Sequence, residues 1–505
     1  MHPLTETSLL TLLRDTGLAK DQIPIIRLLF AAIVEGHTAL KLETDAVLSW
    51  ELIISQGELK DLLAVNTGFL QIKRHEAQER RVAETLKKLA KTPSGSIELN
   101  PNQFMPKADT SQAKAISGSS HRRLSIILGG PGTGKTSTAA AIIAAKRYAM
   151  PQLRKVALLA PTGKAAVRLT DTFHEAISSI PKPDRELLEI SASTIHRQLQ
   201  SLTTMDLILV DEASMVSLDL MDRLLKQLGP DTHLVLMGDP NQLVSVEAGC
   251  ILRSIERAGR LANNCFKLEK RHRIDGNNVL FELQDLCLTG EPAEFIEALR
   301  DHRIFWESAQ SVKRISDEIR SRLTPYFQDV SQSKIPNEPD FQCLTGMTEG
   351  IAGRRWINQF VREELQTRGF HDRGERILIT ENQRDLGIYN GDVGVVVDRD
   401  RSGQEQIYFP MLSQYLLRGQ LGVTEPAWAI SIHRSQGSEY PSVLISLPEP
   451  ESARSRFNPT RQLLYTGLTR AKNDICLVST EAMLKRTLNE SSQRISCLEY
   501  FLNED

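Results

Sequence analysis

The sequence predicts an α/β protein built on two parallel sheets, with a helix-rich unit ahead of them and a small β-rich insertion in the second. Three observations carry that prediction. Short aliphatic runs alternate with helical stretches in two separate blocks. The first block holds a glycine-rich loop between such a run and a helix. The chain of 505 residues is also too long for one ordinary core, and its length suggests three or four domains. Uninterrupted aliphatic runs alternating with helices describe parallel strands covered on both faces. Sheets of that kind place ligands beyond the carboxyl ends of their strands.

Residues 1–108 form the first unit. "LETDAVLSWELIISQGELKDLLA" and "HEAQERRVAETLKKLAK" space their apolar residues as helices do, and "TPSGSIELNPNQFMPK" has the composition of a linker. The most apolar stretch, "IPIIRLLFAAIV", is interrupted by Arg27 and is too short to cross a bilayer, so it reads as one buried helix. Residues 109–275 are the first α/β block, with runs in "LSIILGG", "KVALLAPT", "DLILVDEAS" and "HLVLMGD". A helical connection, 276–340, leads into the second block, 341–505, whose runs lie in "FQCLT", "EPAWAISIH", "SVLISLP" and "DICLVS". Inside it, residues 376–423 are β-rich and punctuated by glycine. No fixed-period repeat is present, which excludes a solenoid.

Composition narrows the class. A hydrophobic content of 41% and a charged content of 25% are those of a soluble globular protein, and the formal net charge is −2. Contact with nucleic acid would therefore need a local basic surface. The six cysteines include no C-x-x-C pair, which speaks against a zinc site and a disulfide framework and for reduced thiols in the cytoplasm. Glu6, Arg14 and Asp15 do not suit a secretory leader.

The chemistry starts in "IILGGPGTGKTST". Gly129, Gly130, Pro131, Gly132, Thr133, Gly134, Lys135 and Thr136 fit G-x-x-x-x-G-K-[ST], with strand before and helix after, and Ser137 adds a further hydroxyl. Glycines let backbone N–H groups curl around phosphate oxygens, and the helix N-terminus adds positive potential. Lys135 suits the β- and γ-phosphates of ATP, and Thr136 suits Mg2+. In "LILVDEASM", Asp211 ends a strand where it can hold Mg2+, and Glu212 can orient or deprotonate an attacking water. In "GDPNQLVSVEAG", Asp239 and Gln242 either flank the γ-phosphate or form a polar turn. Downstream, Arg273 and Arg470 are cations that a phosphoryl-transfer site could use, or else solvated surface charges.

Together these segments resemble the superfamily 1 helicases and, within them, the RecD family, the alpha subunit of exodeoxyribonuclease V. "GGPGTGKT", "APTGKAA", "STIHRQL", "VDEASM", "GDPNQLVSVEAG", "LGIYNGDVGVV", "WAISIHRSQGSEY" and "LLYTGLTRAK" look like that family's motifs in its order, from about Gln112 to Lys472. The resemblance implies two RecA-like P-loop NTPase domains with ATP and Mg2+ between them, single-stranded DNA across their tops, and 5′-to-3′ movement. It implies an adenine-reading role for Gln112 and strand contacts by Thr162, Lys164, His196, Ser435 and Gln436. It further implies that residues 376–423 form an SH3-like module at the strand and that residues 1–108 dock onto the gamma subunit. The implied partners are DNA with duplex ends and the beta and gamma subunits (RecB-like and RecC-like), in break repair by homologous recombination. No carboxylate cluster beyond the one serving Mg-ATP reads as a nuclease site, which leaves that activity to a partner.

Some positions keep two readings. Aromatics are 5% of the chain, so base-stacking partners are few. Tyr389 and Trp428 are candidates, and Trp428, preceding an aliphatic run, also suits core packing. Asn390-Gly391 serves a hairpin turn as well as a DNA contact. The stretch "RHRI" lacks the family's flanking aromatics, so Arg271 competes with Arg273, and "HRSQG" has arginine where lysine is commoner. Two rival functions remain: a free-standing helicase of the same family, and an ATP-gated structural subunit with a silent motor.

Overall fold

A computed structural model describes residues 22–56, 58–91, 99–181, 184–272, 278–332, 339–370, 372–399, 403–450, 457–491 and 494–504. The chain opens with helix α1 (Ile23–Val34), β1 (Leu40–Lys41), α2 (Thr44–Gln56), and the hairpin of β2 (Leu63–Asn66) and β3 (Phe69–Ile72). The three strands form an antiparallel sheet in the order β1-β3-β2. Ile26, Leu29, Trp50 and Leu70 close a small separate core beneath it. Pro24, at the start of α1, costs no intrahelical bond there. The long helix α3 (Lys73–Lys91) then leaves this unit and lies along the next one.

The first lobe contains α4 (Thr110–Ser119), β4 (Leu124–Gly129), α5 (Lys135–Ala149), β5 (Val156–Ala160), α6 (Gly163–Ser178), β6 (Ser193–Thr194), α7 (Ile195–Gln198), β7 (Leu207–Val210), α8 (Leu218–Lys226), β8 (His233–Gly238), α9 (Ile251–Arg257) and β9 (Cys265–Leu268). Its six strands run in the order β6-β5-β7-β8-β4-β9, and every pairing is parallel. Strand side chains alternate between faces. Ile126 and Leu128 enter a core shared with α3, α8 and α9, while Ile127 enters one shared with α4, α5 and α6. Both cores are apolar, which explains why "LSIILG" shows no regular polar alternation. The run of alanines in α5 is buried throughout, and small side chains there let the helix lie close to the sheet.

The second lobe begins with α10 (Asn278–Thr289), α11 (Pro292–Asp301), β10 (Phe305–Glu307) and α12 (Val312–Ser331). The expected helical connection therefore also contains a strand, β10, which pairs in parallel with the last strand of the second sheet. There follow β11 (Phe341–Thr345), α13 (Arg354–Thr367), β12 (Arg376–Ile379), β13 (Val393–Arg399), β14 (Glu405–Phe409), β15 (Gln414–Leu417), β16 (Thr424–Pro426), β17 (Ala429–Ser431), β18 (Tyr440–Ser446), α14 (Arg461–Leu468), β19 (Ala471–Val478), α15 (Glu481–Asn489) and α16 (Leu498–Asn503). The second parallel sheet has the order β10-β19-β18-β11-β17. Strands β12 to β16 form a separate antiparallel sheet, β15-β14-β13-β12-β16, closed over Ile379, Ile407 and Phe409. It reaches Pro426 because β16 pairs with β12.

The last helix departs from the expected division at 341–505. Leu498, Phe501 and Leu502 of α16 pack with Val82 and Leu86 of α3 and Ile255 of α9, on the first lobe. An amphipathic segment buries its apolar face wherever a complementary face is open, and sequence distance does not constrain it. One carboxylate anchors this three-way junction. Glu79 is fully buried and accepts from Thr38 Oγ1 at 2.6 Å, Gln71 Nε2 at 2.7 Å and Ser496 Oγ at 2.5 Å. Burial raises its pKa, and those donors pull it back. Glu79→Ala removes the acceptor these three groups share, leaving Thr38 Oγ1 and Gln71 Nε2 only longer bonds to the Ile495 and Thr38 carbonyls at 3.4 and 3.3 Å, and is expected to cost about 3 kcal/mol. Equilibrium unfolding in urea would show it, with Glu84→Ala on the exposed side of α3 changing stability by less than about 0.5 kcal/mol.

All six cysteines are free thiols. Among the described residues no helix is long and apolar enough to cross a membrane.

Candidate functional site

The loop after β4 folds as its glycines allow. Gly132 and Gly134 adopt positive φ, +76° and +75°, where a side chain would be strained. Lys135 begins α5, and its Nζ donates to the Gly129 and Gly130 carbonyls at 2.8 and 2.9 Å. Thr133 Oγ1 donates to the Gly130 carbonyl at 2.9 Å. The loop borders a cavity of about 400 Å³ lined by Pro131 through Ser137, with Asp211, Glu212 and Gln242 across from it.

Asp211 follows β7 and Glu212 follows Asp211. The Glu212 backbone is left-handed, φ 49° and ψ 42°, and its N–H donates to Asp211 Oδ1 at 2.7 Å. Such a conformation costs a non-glycine residue ~1 kcal/mol or more, and the turn brings two consecutive carboxylates to one cavity. Burial, then the Glu212 charge, pushes the Asp211 carboxyl up to about 7. The pair thus favours a cation. Among the described residues no three His, Cys, Asp or Glu side chains group as a metal site. The donors present, the Thr136 hydroxyl and the Asp211 carboxylate, suit Mg2+ that arrives with phosphate oxygens and keeps waters of its own.

The second lobe closes the same cavity with Gly437, Glu439 and Arg470. Arg470 is buried; its guanidinium donates to Gln242 Oε1 at 3.0 Å, to the Ser438 carbonyl at 3.0 Å and to the Thr466 carbonyl at 3.1 Å. Gln242 Nε2 in turn donates to Asp239 Oδ2 at 3.4 Å, and Tyr465 Oη donates to the same oxygen at 2.9 Å. Asp239, raised in pKa by burial, is thereby held between the lobes. The Leu243 N–H donates to Thr466 Oγ1 at 2.9 Å and its carbonyl accepts from Gln436 Nε2 at 2.9 Å. The turn after β8 is therefore the polar joint between the two sheets.

Arg273 lies outside the described residues. Its rival Arg271 faces α10, where it pairs with Asp285 and stands 4.8 Å over the Phe281 ring. The neighbouring His272 N–H donates to the Gly132 carbonyl at 2.7 Å, so this segment does run beside the loop. Gln112 is buried. Its Oε1 accepts from the Asp109 N–H at 3.0 Å, completing a capping box on α4, and its Nε2 donates to the Thr133 carbonyl at 3.2 Å. It braces the loop and does not border the cavity. Hydrogen bonds from Ser111, Gln112 and His272 outweigh burial and hold Asp109 down to about 2.

The strand-contact candidates separate into two groups. Thr162 caps α6, accepting from the Ala165 N–H at 3.3 Å, Lys164 is half-buried and His196 is exposed. Tyr389, from the connection between β12 and β13, lies over Gly163, where a Cβ would stand 3.2 Å from the tyrosine Cβ. Ser435 and Gln436 do not fit the expectation: both are buried, and their polar atoms bond the Ile432 and Leu243 carbonyls. The exposed residues of that turn are His433 and Arg434. Trp428 is core, packed edge-to-face on Tyr326 at 5.0 Å.

Sequence reasoning missed Arg168 and Glu439. They pair at 2.8 Å and both line the cavity, one from each lobe. Helical spacing carried the signal, because Arg168 follows Lys164 by four residues on α6 and shares its face.

Two family models match: an AAA domain over residues 107–309 and a UvrD-like helicase C-terminal domain over residues 426–478. The RecBCD enzyme subunit RecD of Mycolicibacterium smegmatis is 30% identical over 467 residues, covering 85% of this chain and 81% of that one. Its counterpart in Haemophilus influenzae is 28% identical, covering 75% and 70%. The ATP-dependent RecD2 DNA helicase of Deinococcus radiodurans is 27% identical over 409 residues, covering 78% of this chain and 53% of its own length.

Proposed function

From the chain's membership of the RecD family, which makes it an ATP-dependent DNA helicase, we propose that it moves 5′ to 3′ on single-stranded DNA as the alpha subunit of a RecBCD-type exodeoxyribonuclease V. The observation that carries the motor reading is the cavity built from both lobes, with Lys135, Asp211 and Glu212 on one side and Arg470 on the other. In this reading the loop N–H groups and Lys135 hold the β- and γ-phosphates, and Thr136 and Asp211 hold Mg2+, which supplies charge neutralisation at the phosphates. Glu212 orients and deprotonates the attacking water. Arg470 stabilises the charge that develops on the terminal phosphate, and Gln242, bonded to Arg470, senses its loss. Because the terminal phosphate bridges the lobes, its cleavage changes how strongly they hold together, and the strand is handed along.

Thr162, Lys164, His196 and Tyr389 are the proposed strand contacts. Hydroxyls, amines and a stacking ring bind a strand without reading its sequence. The antiparallel sheet serves as the SH3-like module that guides the strand. For partner docking, support comes from the first unit: Leu28, Val34, Leu48 and Leu52 are between 56% and 83% exposed on α1 and α2, an apolar surface of the kind a subunit interface covers. In that assembly the chain works at duplex ends in the cytoplasm, in double-strand break repair.

Directional unwinding tests the reading. A duplex with a 5′ single-stranded tail should be opened in an ATP-dependent reaction, and one with only a 3′ tail should not. Opening of the 3′-tailed duplex alone overturns the polarity. Co-purification with two larger subunits supports the assembly, whereas full unwinding by the isolated chain favours a free-standing helicase.

A further inference from the structure

Helix α6 is zipped onto one short segment of the second lobe. A Cβ at Gly437 would stand 3.1 Å from the Ala165 Cβ, and Gly437 itself has φ +75°. Lys164 Nζ lies 5.6 Å from the Tyr440 ring centroid. Arg168 donates to Glu439 Oε1 at 2.8 Å, with the arginine side chain part-exposed and the glutamate more enclosed. Lys164, Ala165 and Arg168 are positions i, i+1 and i+4 of one helix face. They meet Gly437, Glu439 and Tyr440, three of four consecutive residues. That segment is gripped from behind by Arg470, whose guanidinium donates to the Ser438 carbonyl at 3.0 Å and whose carbonyl accepts from the Tyr440 N–H at 2.8 Å.

The two ends of this contact face different ligands. Its Lys164 end adjoins the proposed strand contact Thr162, and its Arg168 end lines the cavity beside Asp211 and Glu212, whose charges both act on Arg168. We propose that the α6 seam couples strand binding to ATP hydrolysis, with Arg168 and Glu439 as a positioning pair. A strand phosphate that engages Lys164 draws it from Tyr440, the Gly437–Tyr440 segment shifts, and Arg470 moves with it at the terminal phosphate. The Arg168–Glu439 pair keeps the segment in register with α6 during that shift. The proposal rests on reading the cavity as the ATP site.

The test measures ATP turnover of the full chain with and without a single-stranded oligonucleotide, together with binding of a fluorescent ATP analogue and of the oligonucleotide. Arg168→Ala and Glu439→Ala are each expected to lower the ratio of stimulated to unstimulated turnover about tenfold. Analogue and oligonucleotide affinities should stay within about threefold. The exchanged pair, Arg168→Glu with Glu439→Arg, should recover most of the ratio. Gly437→Ala should lower it without removing any charge, which keeps the proposal open to test if the exchanged pair folds poorly. A parental ratio in all the single variants overturns the seam. So does a loss of analogue affinity as the main effect, because Arg168 or Glu439 would then contact nucleotide directly. If the unsubstituted chain binds no analogue, the ATP-site reading fails instead.

Discussion

Replacing Lys135 with alanine is expected to lower ATP turnover at least about 100-fold, with or without DNA. The lysine starts α5, and its ammonium rests against the Gly129 and Gly130 carbonyls at the floor of the cavity. No other lysine lines that cavity among the described residues. A compact ammonium in a loop of backbone donors is the charge best placed for the β- and γ-phosphates, and a neutral side chain cannot replace it. The effect should fall mainly on turnover, with the loop N–H groups retaining part of the binding. Phosphate release at saturating ATP measures it, and a far-ultraviolet circular dichroism spectrum equal to the parent's excludes unfolding. Turnover within tenfold of the parent would remove Lys135 from the proposed site.

Arg470→Ala is expected to cost about 1,000-fold in turnover. Arg470 is the one described arginine of the second lobe that lines the cavity. Burial, only partly offset by the Glu212 and Glu439 charges, draws its pKa down, yet a guanidinium remains charged at any working pH. Truncation also strands the Ser438 carbonyl and Gln242 Oε1, while the Thr466 carbonyl keeps the Thr469 hydroxyl, so some stability is lost along with catalysis. Arg470→Lys separates the two. It keeps a cation but loses the fork that reaches Gln242 and Ser438 together, and it should fold while remaining at least tenfold slow. ATP affinity close to the parent's, beside a collapsed turnover number, is the signature of a group acting on the transition state. Arg470→Ala with parental turnover would falsify the two-lobed site.

What could be read from the sequence was local. The loop of Gly129–Thr136 is a strand, a turn and a helix start in one unbroken stretch, and its positive-φ positions fall on glycines. The parallel sheets were legible for a similar reason, since strands buried on both faces carry no polar alternation. Long-range geometry was not legible. Nothing in "HRSQG" distinguishes the exposed His433 and Arg434 from the buried Ser435 and Gln436, because that turn has no regular period. Gln112 looked like a ligand reader, but its amide is committed to a capping box and to the loop. The Arg168–Glu439 pair joins residues of different lobes, and each alone resembles an ordinary surface charge. The return of α16 to α3 could not be foreseen either, since an apolar helix face does not name its partner.

That return has a mechanical consequence. The chain passes from the first lobe to the second after β9, and passes back between α15 and α16. The second lobe is thus tied covalently to the first at two places along the chain, in addition to the side-chain bonds of the turn after β8 and of α6. Two covalent tethers cap how far the lobes can separate whenever those bonds exchange, whatever the cavity holds.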